Sequence, residues 1–191
     1  MKVKSLTEMT LEELWQLFPI FLVEHQDDWA DWYEQEAGCL LALLSESSVS
    51  RLSHIGSTAI DGIWAKNIVD ILLEVPKGSD LQSIKQRLFN AGYQLMSESG
   101  SRLSFNKGYE PEGFADKVFH LHLRYQGDND EPYFRDYLRE HPDLAKDYES
   151  LKKILWKKYE HNRDAYTEAK SDFIKTYTQK AKEEYKRRYE K

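Results

Sequence analysis

Only one cysteine, Cys39, occurs in the chain, which excludes intrachain disulfides and cysteine-based metal clusters. Its place in the run Cys39-Leu40-Leu41-Ala42-Leu43-Leu44 predicts a buried core thiol. Long apolar runs are missing as well. No stretch reaches the roughly 18 residues a membrane span requires, and Glu12 and Glu13 interrupt any signal-peptide core near the start. Both absences predict a cytoplasmic protein with no membrane partner. A basic excess is also lacking. The formal net charge of −6 argues against a general nucleic-acid surface, because such surfaces bind by neutralising phosphates with Lys and Arg. Acidic residues crowd the stretch from Gly127 to Glu149 and basic ones the stretch from Lys175 to Lys191, the latter suiting a solvated helical end.

Repeats, low-complexity segments and linkers are absent too, while 40% hydrophobic and 13% aromatic residues suffice for one sizeable core. Residues 1–25 read as an N-terminal helical extension and residues 26–191 as a single domain. Thr10 and Glu13 form a capping-box pattern ahead of Leu14-Trp15, and Pro19 ends that helix. Spacings of three and four predict a helix over residues 27–46, with Trp29, Trp32, Tyr33, Leu40, Leu43 and Leu44 on its packing face. Short β-like runs follow at 51–55, 68–75, 93–97, 101–107 and 117–125, with a helix over 80–91 between the second and third. Ser99-Gly100 joins the third and fourth runs as an antiparallel hairpin. The final third is helical: 134–140, then Pro142 through Tyr159, then one long helix carrying Tyr166, Ala169, Phe173, Tyr177, Ala181 and Tyr185 on one face.

Alternation within the strands sorts side chains onto two faces. In Phe119-His120-Leu121-His122-Leu123-Arg124-Tyr125 the even positions are His120, His122 and Arg124, and around Leu103 and Phe105 they are Arg102, Ser104 and Asn106. Asp70 and Glu74 oppose Ile71, Leu73 and Val75 in the same way. If these strands are neighbours in register, one shared face gathers two carboxylates, two imidazoles and two guanidiniums. That face is either the wet side of an antiparallel sheet or a seat for a phosphorylated ligand, since Arg suits phosphate and Asp suits Mg²⁺. His120 and His122 project together and are open to metal ligation, to general acid–base work or phosphate hydrogen bonding, and to purely structural bonding.

The stretch His54-Ile55-Gly56-Ser57-Thr58, followed by Lys66 and the Asp70 strand, supplies a second lead. A small-residue turn lets backbone N–H groups approach a phosphate, Ser57 adds a hydroxyl, Lys66 is within reach of a phosphate, and Asp70 offers a hard oxygen to a metal. Arg135 and Arg139, four apart on one helix face, are candidates for further phosphate-directed charge.

His54-Ile55-Gly56-Ser57-Thr58-Ala59, Ala65-Lys66, Val69-Asp70-Ile71, His120-Leu121-His122, Phe134-Arg135-Asp136-Tyr137-Leu138-Arg139, His141-Pro142, Tyr148, Leu151-Lys152 and Asp164 through Tyr166-Thr167 to Lys170 together resemble the GrpB family of bacterial proteins, in consistent order over residues 25–175. The resemblance implies an α+β fold, a nucleotidyltransferase-like mixed β-sheet packed with helices, and kinship with sequences sometimes fused to dephospho-CoA kinase. It also implies that Gly56 and Ser57 touch a triphosphate while Asp70 binds Mg²⁺ or Mn²⁺, with His122 as a further ligand and His120 and His122 beside Asp70 as catalytic candidates. The second acid expected two residues after Asp70 is Leu72 here. Two functions therefore stand at this stage. One is a metal-dependent nucleotidyltransferase acting on a nucleotide and a small molecule, with His54, Gly56, Ser57, Thr58, Lys66, Arg102, Arg124, Arg135 and Arg139 as nucleotide- or phosphate-binding residues. The other is a non-catalytic module for a nucleotide or CoA-like metabolite.

Overall fold

A computed structural model describes residues 4–189. Its helices are α1 (Leu11–Leu17), α2 (Asp28–Leu44), α3 (Leu81–Asn90), α4 (Asp130–Glu140), α5 (Pro142–Tyr159), α6 (Arg163–Glu168) and α7 (Ser171–Tyr185). Its strands are β1 (Arg51–Ile55), β2 (Val69–Val75), β3 (Gln94–Ser99), β4 (Arg102–Glu110) and β5 (Gly113–Tyr125). Local chemistry sets several boundaries. Thr10 accepts from the Glu13 amide at 3.2 Å while the Glu13 carboxylate accepts from the Thr10 amide at 2.8 Å, closing the capping box of α1. Asp80 caps α3 by accepting from the amides of Gln82 and Ser83, and Pro142 opens α5, where its missing N–H costs nothing.

The five strands form one mixed sheet in the order β1-β2-β5-β4-β3, with β2 and β5 parallel and every other pair antiparallel. The register sets Asp70 opposite His120, Leu72 opposite His122, and Glu74 opposite Arg124; on the next strand Asn106 faces His120 and Ser104 faces His122. The even-numbered residues therefore share one side of the sheet, as their alternation predicts. The odd-numbered side is apolar: Ile71, Leu73, Val75, Leu103, Phe105, Leu121 and Leu123 pack against Trp29, Leu40 and Leu44 of α2 and Ile84 and Leu88 of α3. A second core forms where Ile60 and Ile63, in the loop after β1, meet Phe134, Leu138, Ala145 and Tyr148 of α4 and α5. Residues before α2 belong to the same packed body. Phe18 joins Ile68, Tyr109 and Val118, and Val23 bridges Ala65.

Four sequence expectations are revised. Cys39 is exposed, because Leu40, Leu43 and Leu44 of its apolar run supply the face of α2 that meets the sheet and Cys39 falls outside it. The long final helix is two helices, α6 and α7, separated at Ala169 and Lys170. The fourth helix begins at Asp130 rather than at Phe134. Strands β4 and β5 extend toward each other and close a second hairpin over residues 110–113. That hairpin contains a bulge. The register shifts between Lys107 and Tyr109, and Gly108 takes φ +88° with no room for a side chain, since a Cβ there would lie 2.4 Å from the Lys117 carbonyl oxygen. Lys107 stays on the apolar side over the rings of Tyr93 and Phe119, whereas Tyr109 turns to the side that carries His120.

Arg135 and Arg139 of α4 tie the segment after β1 in place. Arg135 Nη1 donates to the His54 carbonyl at 2.7 Å and Arg139 Nε to the Ala59 carbonyl at 2.7 Å. Bonds from a charged donor to a backbone carbonyl contribute about 1.5–3 kcal/mol, less for Arg139, whose side chain is 43% exposed. Replacing both with Gln is expected to lower stability by about 2 kcal/mol or more and to increase hydrogen exchange selectively at residues 54–60. Urea unfolding together with exchange mass spectrometry checks this, and unchanged stability would remove the tethering role.

Candidate functional site

Asp70 stands at the second position of β2, where the strand emerges beside the turn that follows β1. Gly56 forms that turn with φ +72°, and a Cβ at this position would sit 2.4 Å from Asp70 Oδ2. The backbone of the turn thus lies directly against the carboxylate, a closeness that only glycine permits. Asp70 Oδ1 meets His120 Nδ1 at 3.1 Å and His122 Nε2 at 3.6 Å. The Asp70 side chain is 25% exposed, so the group opens to solvent while its neighbours fix its direction. Burial pushes the Asp70 carboxyl up, and the hydrogen bonds from His120 and His122 outweigh it, holding the group below the usual carboxylate range.

A chain of hydrogen bonds runs outward from this carboxylate. Arg163 Nη2 donates to the Tyr109 hydroxyl at 2.7 Å, that hydroxyl is 2.9 Å from His120 Nε2, and His120 Nδ1 reaches Asp70. Arg163 can only donate, so the directions follow: Tyr109 gives its proton to Nε2, and a neutral His120 carries its own proton on Nδ1, toward Asp70. Burial lowers His120 to about 4, with Asp70 opposing the shift, in keeping with a neutral ring. His122 continues the chain on the other side, with Nδ1 at 3.4 Å from the Ser104 hydroxyl.

Cations surround this core. Burial lowers Lys66 to about 8, Arg163 adding to the shift and Asp70 opposing it. Burial lowers Lys170 to about 7, with Lys66 adding and Asp70 opposing. Lys66 and Arg163 line one small cavity, Arg163 reaches Asp70 through Tyr109 and His120, and the Asp70 charge is felt by both lysine amines. Neither lysine amine has a carboxylate within ion-pair distance among the described residues; Lys170 rests over the Tyr166 ring at 4.1 Å. Arg163 Nε is buried without a hydrogen-bond partner. Lys152 lies deeper, 1% exposed, and donates to the Trp64 carbonyl, which makes it a structural cation. Burial pushes the Tyr148 hydroxyl well above its ordinary range, and the Ser57 hydroxyl beside it pulls the other way.

Of the residues the sequence singled out, the structure brings together Gly56, Ser57, Lys66, Asp70, His120 and His122. The others have different attachments. His54 sits on the opposite side of the sheet, stacked on Tyr33 at 5.0 Å, with its Nε2 3.0 Å from the Thr58 hydroxyl, so Thr58 is engaged there as well. Burial lowers His54 to about 4. Arg102 and Arg124 lie at the far end of the strands, about 13 Å along from Asp70 by strand rise. Arg102 pairs with Asp128 at 2.7 Å, and Arg124 donates to the carbonyls of Leu103 and Leu123. Arg135 and Arg139 hold backbone, as described above. A guanidinium serves carbonyls as well as phosphates, and residue type alone does not distinguish them. The members missed as site residues are Tyr109, Arg163, Lys170 and Tyr148. Lys170 and Tyr148 were visible only as points of resemblance, and Tyr109 is delivered by a bulge that no alternation pattern shows.

The donors do not suit Mg²⁺. That ion takes an octahedral shell of oxygens, whereas Asp70 is one carboxylate between two imidazoles with three cationic side chains close by. The position of a second acid, Leu72, is 0% exposed. Among the described residues no three His, Cys, Asp or Glu side chains gather as a metal-holding group.

The α+β fold has counterparts among known proteins. The family model described as GrpB protein matches residues 19–180, and the chain belongs to the GrpB family. It is 37% identical over 161 residues to the glutamate-rich protein GrpB of Alkalihalophilus pseudofirmus, covering 81% of this chain and 91% of that one. It is 36% identical to a UPF0157 protein of Pseudomonas aeruginosa and 30% to the UPF0157 protein YqkA of Bacillus subtilis, covering 76% and 90% of this chain. The matches span only 61% and 51% of the length of those two relatives. The crystal structure of a conserved GrpB protein from Enterococcus faecalis superposes with TM-score 0.75 at 29% identity, over 86% of this chain and 99% of that one. The Cid1 poly(U) polymerase aligns far more distantly, with TM-score 0.47 and 11% identity.

Gly56→Ala is expected to cost about 1–2 kcal/mol through φ alone, plus displacement of the Asp70 carboxylate. In an Asp70→Ala background the oxygen in the way is gone, so the same change costs less. Denaturant unfolding of the four proteins measures the coupling, and additive effects would disprove the contact.

Acid is expected to weaken the fold. His54 and His120 have folded values of about 4 against an ordinary 6.5. Between those pH values the unfolded chain holds protons that the folded protein refuses, so stability falls as pH drops through this window and is independent of these groups above it. Asp70, held low in the folded state, adds a loss in the same direction at still lower pH. A melting temperature that declines from pH 7 to 4.5, with a shallower decline in His120→Gln, is the expected result; a flat profile contradicts it.

Proposed function

We propose that the cleft around Asp70 binds a phosphorylated small molecule, a nucleotide or CoA-like metabolite, through Lys66, Lys170 and Arg163, without needing a divalent metal. One observation carries this reading: two lysine amines, neither paired with a carboxylate among the described residues, are coupled to the single carboxylate that Arg163 reaches through Tyr109 and His120, and Lys66 and Arg163 line one cavity. Such a group has positive charge to spare and donors without acceptors, and a phosphate supplies both the charge and the oxygens. Arg163 Nε, buried and unpartnered, gains an acceptor in the same event. Asp70 and His120 sit beside the anion rather than under it. A neutral imidazole held by Tyr109 and Asp70 has no proton free on either nitrogen, so its part is to orient the carboxylate.

A transfer reaction is the second reading, supported by the packing of the Gly56 turn against Asp70, the arrangement in which a phosphate cradle adjoins an acid. In-line transfer with two cations calls for further carboxylates, and the nearest same-face alternative, Glu74, is buried and bonded to Gly127 and Asn129. Binding is therefore the reading the geometry supports better.

Thermal unfolding with inorganic phosphate, ATP, ADP or CoA, each with and without Mg²⁺ or Mn²⁺, tests both readings. A ligand present at 100 times its Kd adds about 2.7 kcal/mol. Metal-independent stabilisation, weakened by salt and abolished in a Lys66→Met, Lys170→Met double variant, is the expected outcome. Stabilisation that requires the metal and survives in the double variant would shift the assignment to the transferase reading, and no stabilisation by any of these ligands would overturn both.

A further inference from the structure

The cationic wall of the cleft has an apolar neighbour. Between the segment that follows α1 and the start of β5 lies a small cavity of about 30 Å³. Lys66 and Arg163 form its charged side, and Pro19, Phe21, Ile68 and Phe114 its apolar side. The floor is firm: Ile68 is 5% exposed and Val118 2%. Phe114 is fixed by edge and tilted contacts, with ring centroids 5.0 Å from Phe18 and 5.1 Å from Tyr109. Phe21 is different. It touches Phe114 at 6.1 Å and remains 38% exposed, a large apolar ring left at the rim of a charged cleft.

We infer that the phosphorylated ligand carries an apolar or aromatic group close to its phosphate and seats the edge of that group against Phe21 and Phe114 while Lys66 and Arg163 hold the anion. The inference rests on the phosphate-binding reading given above and narrows it to a class of ligand. A single water needs roughly 10–15 Å³ by this kind of measure, so the cavity admits a ring edge or a short alkyl group rather than a whole nucleobase, and the remainder of the group lies over the exposed face of Phe21. Water is poorly matched to the slot, because its apolar walls offer few hydrogen bonds, whereas an apolar group gains both burial and ring contact there. Inorganic phosphate or a polyphosphate would satisfy the cations and leave the slot unused. The shared wall is what joins the two halves: Arg163 bonds Tyr109 on the Asp70 side and lines the slot on the other.

Isothermal titration of the full chain with inorganic phosphate, methyl phosphate and phenyl phosphate, repeated on Phe21→Ala and Phe114→Leu, is the test. In the parent, phenyl phosphate is expected to bind roughly ten-fold more tightly than methyl phosphate. In at least one variant that ratio falls to about three-fold or less, while the affinity for inorganic phosphate is unchanged. Phe21 is exposed, so its replacement leaves the fold intact, and Phe114→Leu keeps a large apolar side chain in the buried contact. Equal affinities for methyl and phenyl phosphate in the parent would overturn the apolar subsite and leave the phosphate site standing. A preference retained in both variants would overturn the assignment to Phe21 and Phe114. Failure of all three phosphates to bind the parent would remove the phosphate reading and this inference with it.

Discussion

Everything near the cleft is arranged around one ionised carboxylate that lies mostly out of water. Desolvation alone would protonate Asp70. The protein prevents this with hydrogen bonds from two imidazoles on the neighbouring strand. Each of those groups constrains another: His120 must stay neutral and keep its proton on the side facing Asp70, Tyr109 must be present to receive the other nitrogen's lone pair, and Arg163 must point at Tyr109. The turn at Gly56 then closes over the second oxygen so tightly that no side chain fits. The carboxylate is therefore less a reagent than a fixed negative reference about which the positive groups are disposed.

The overall charge of the chain does not conflict with an anion site. At physiological ionic strength fields between exposed charges fade within about 8 Å, so a ligand entering the cleft responds to Lys66, Lys170 and Arg163 rather than to the acidic surface elsewhere. Burial strengthens this local field and also draws the two lysines toward neutrality. The cleft thus holds its positive charge against a gradient that the proposed anion would relieve.

How much of this could be read from residues alone varied with the kind of physics involved. Period-two alternation set Asp70, His120 and His122 on one side of the sheet, and the structure has them there, because a strand with one apolar side has a single workable register. Turn chemistry located the tight turn at Gly56, whose backbone lies against the Asp70 carboxylate. The arginines were harder, since a guanidinium is drawn equally to phosphates, carboxylates and backbone carbonyls, and only tertiary placement showed that Arg124, Arg135 and Arg139 serve carbonyls. His54 was misplaced by its nearness in sequence to Gly56, although one step along a strand moves a side chain to the other side. The helical third was read for its apolar stripe, which says where helices pack and nothing about which polar residues, Arg163 and Lys170 among them, overhang the sheet. Cys39 shows the same limit in reverse, an apolar neighbourhood in sequence that helix phase turns outward.

Tyr109 belongs to the cleft by parity. Counting along β4 from Lys107, an unbroken ladder would return Tyr109 to the apolar side beneath α2 and away from His120. The register shifts there, residue 108 of β4 lying against residues 115–118 of β5, so the identity of the group that meets His120 depends on how the two strands are matched as well as on which residues they carry.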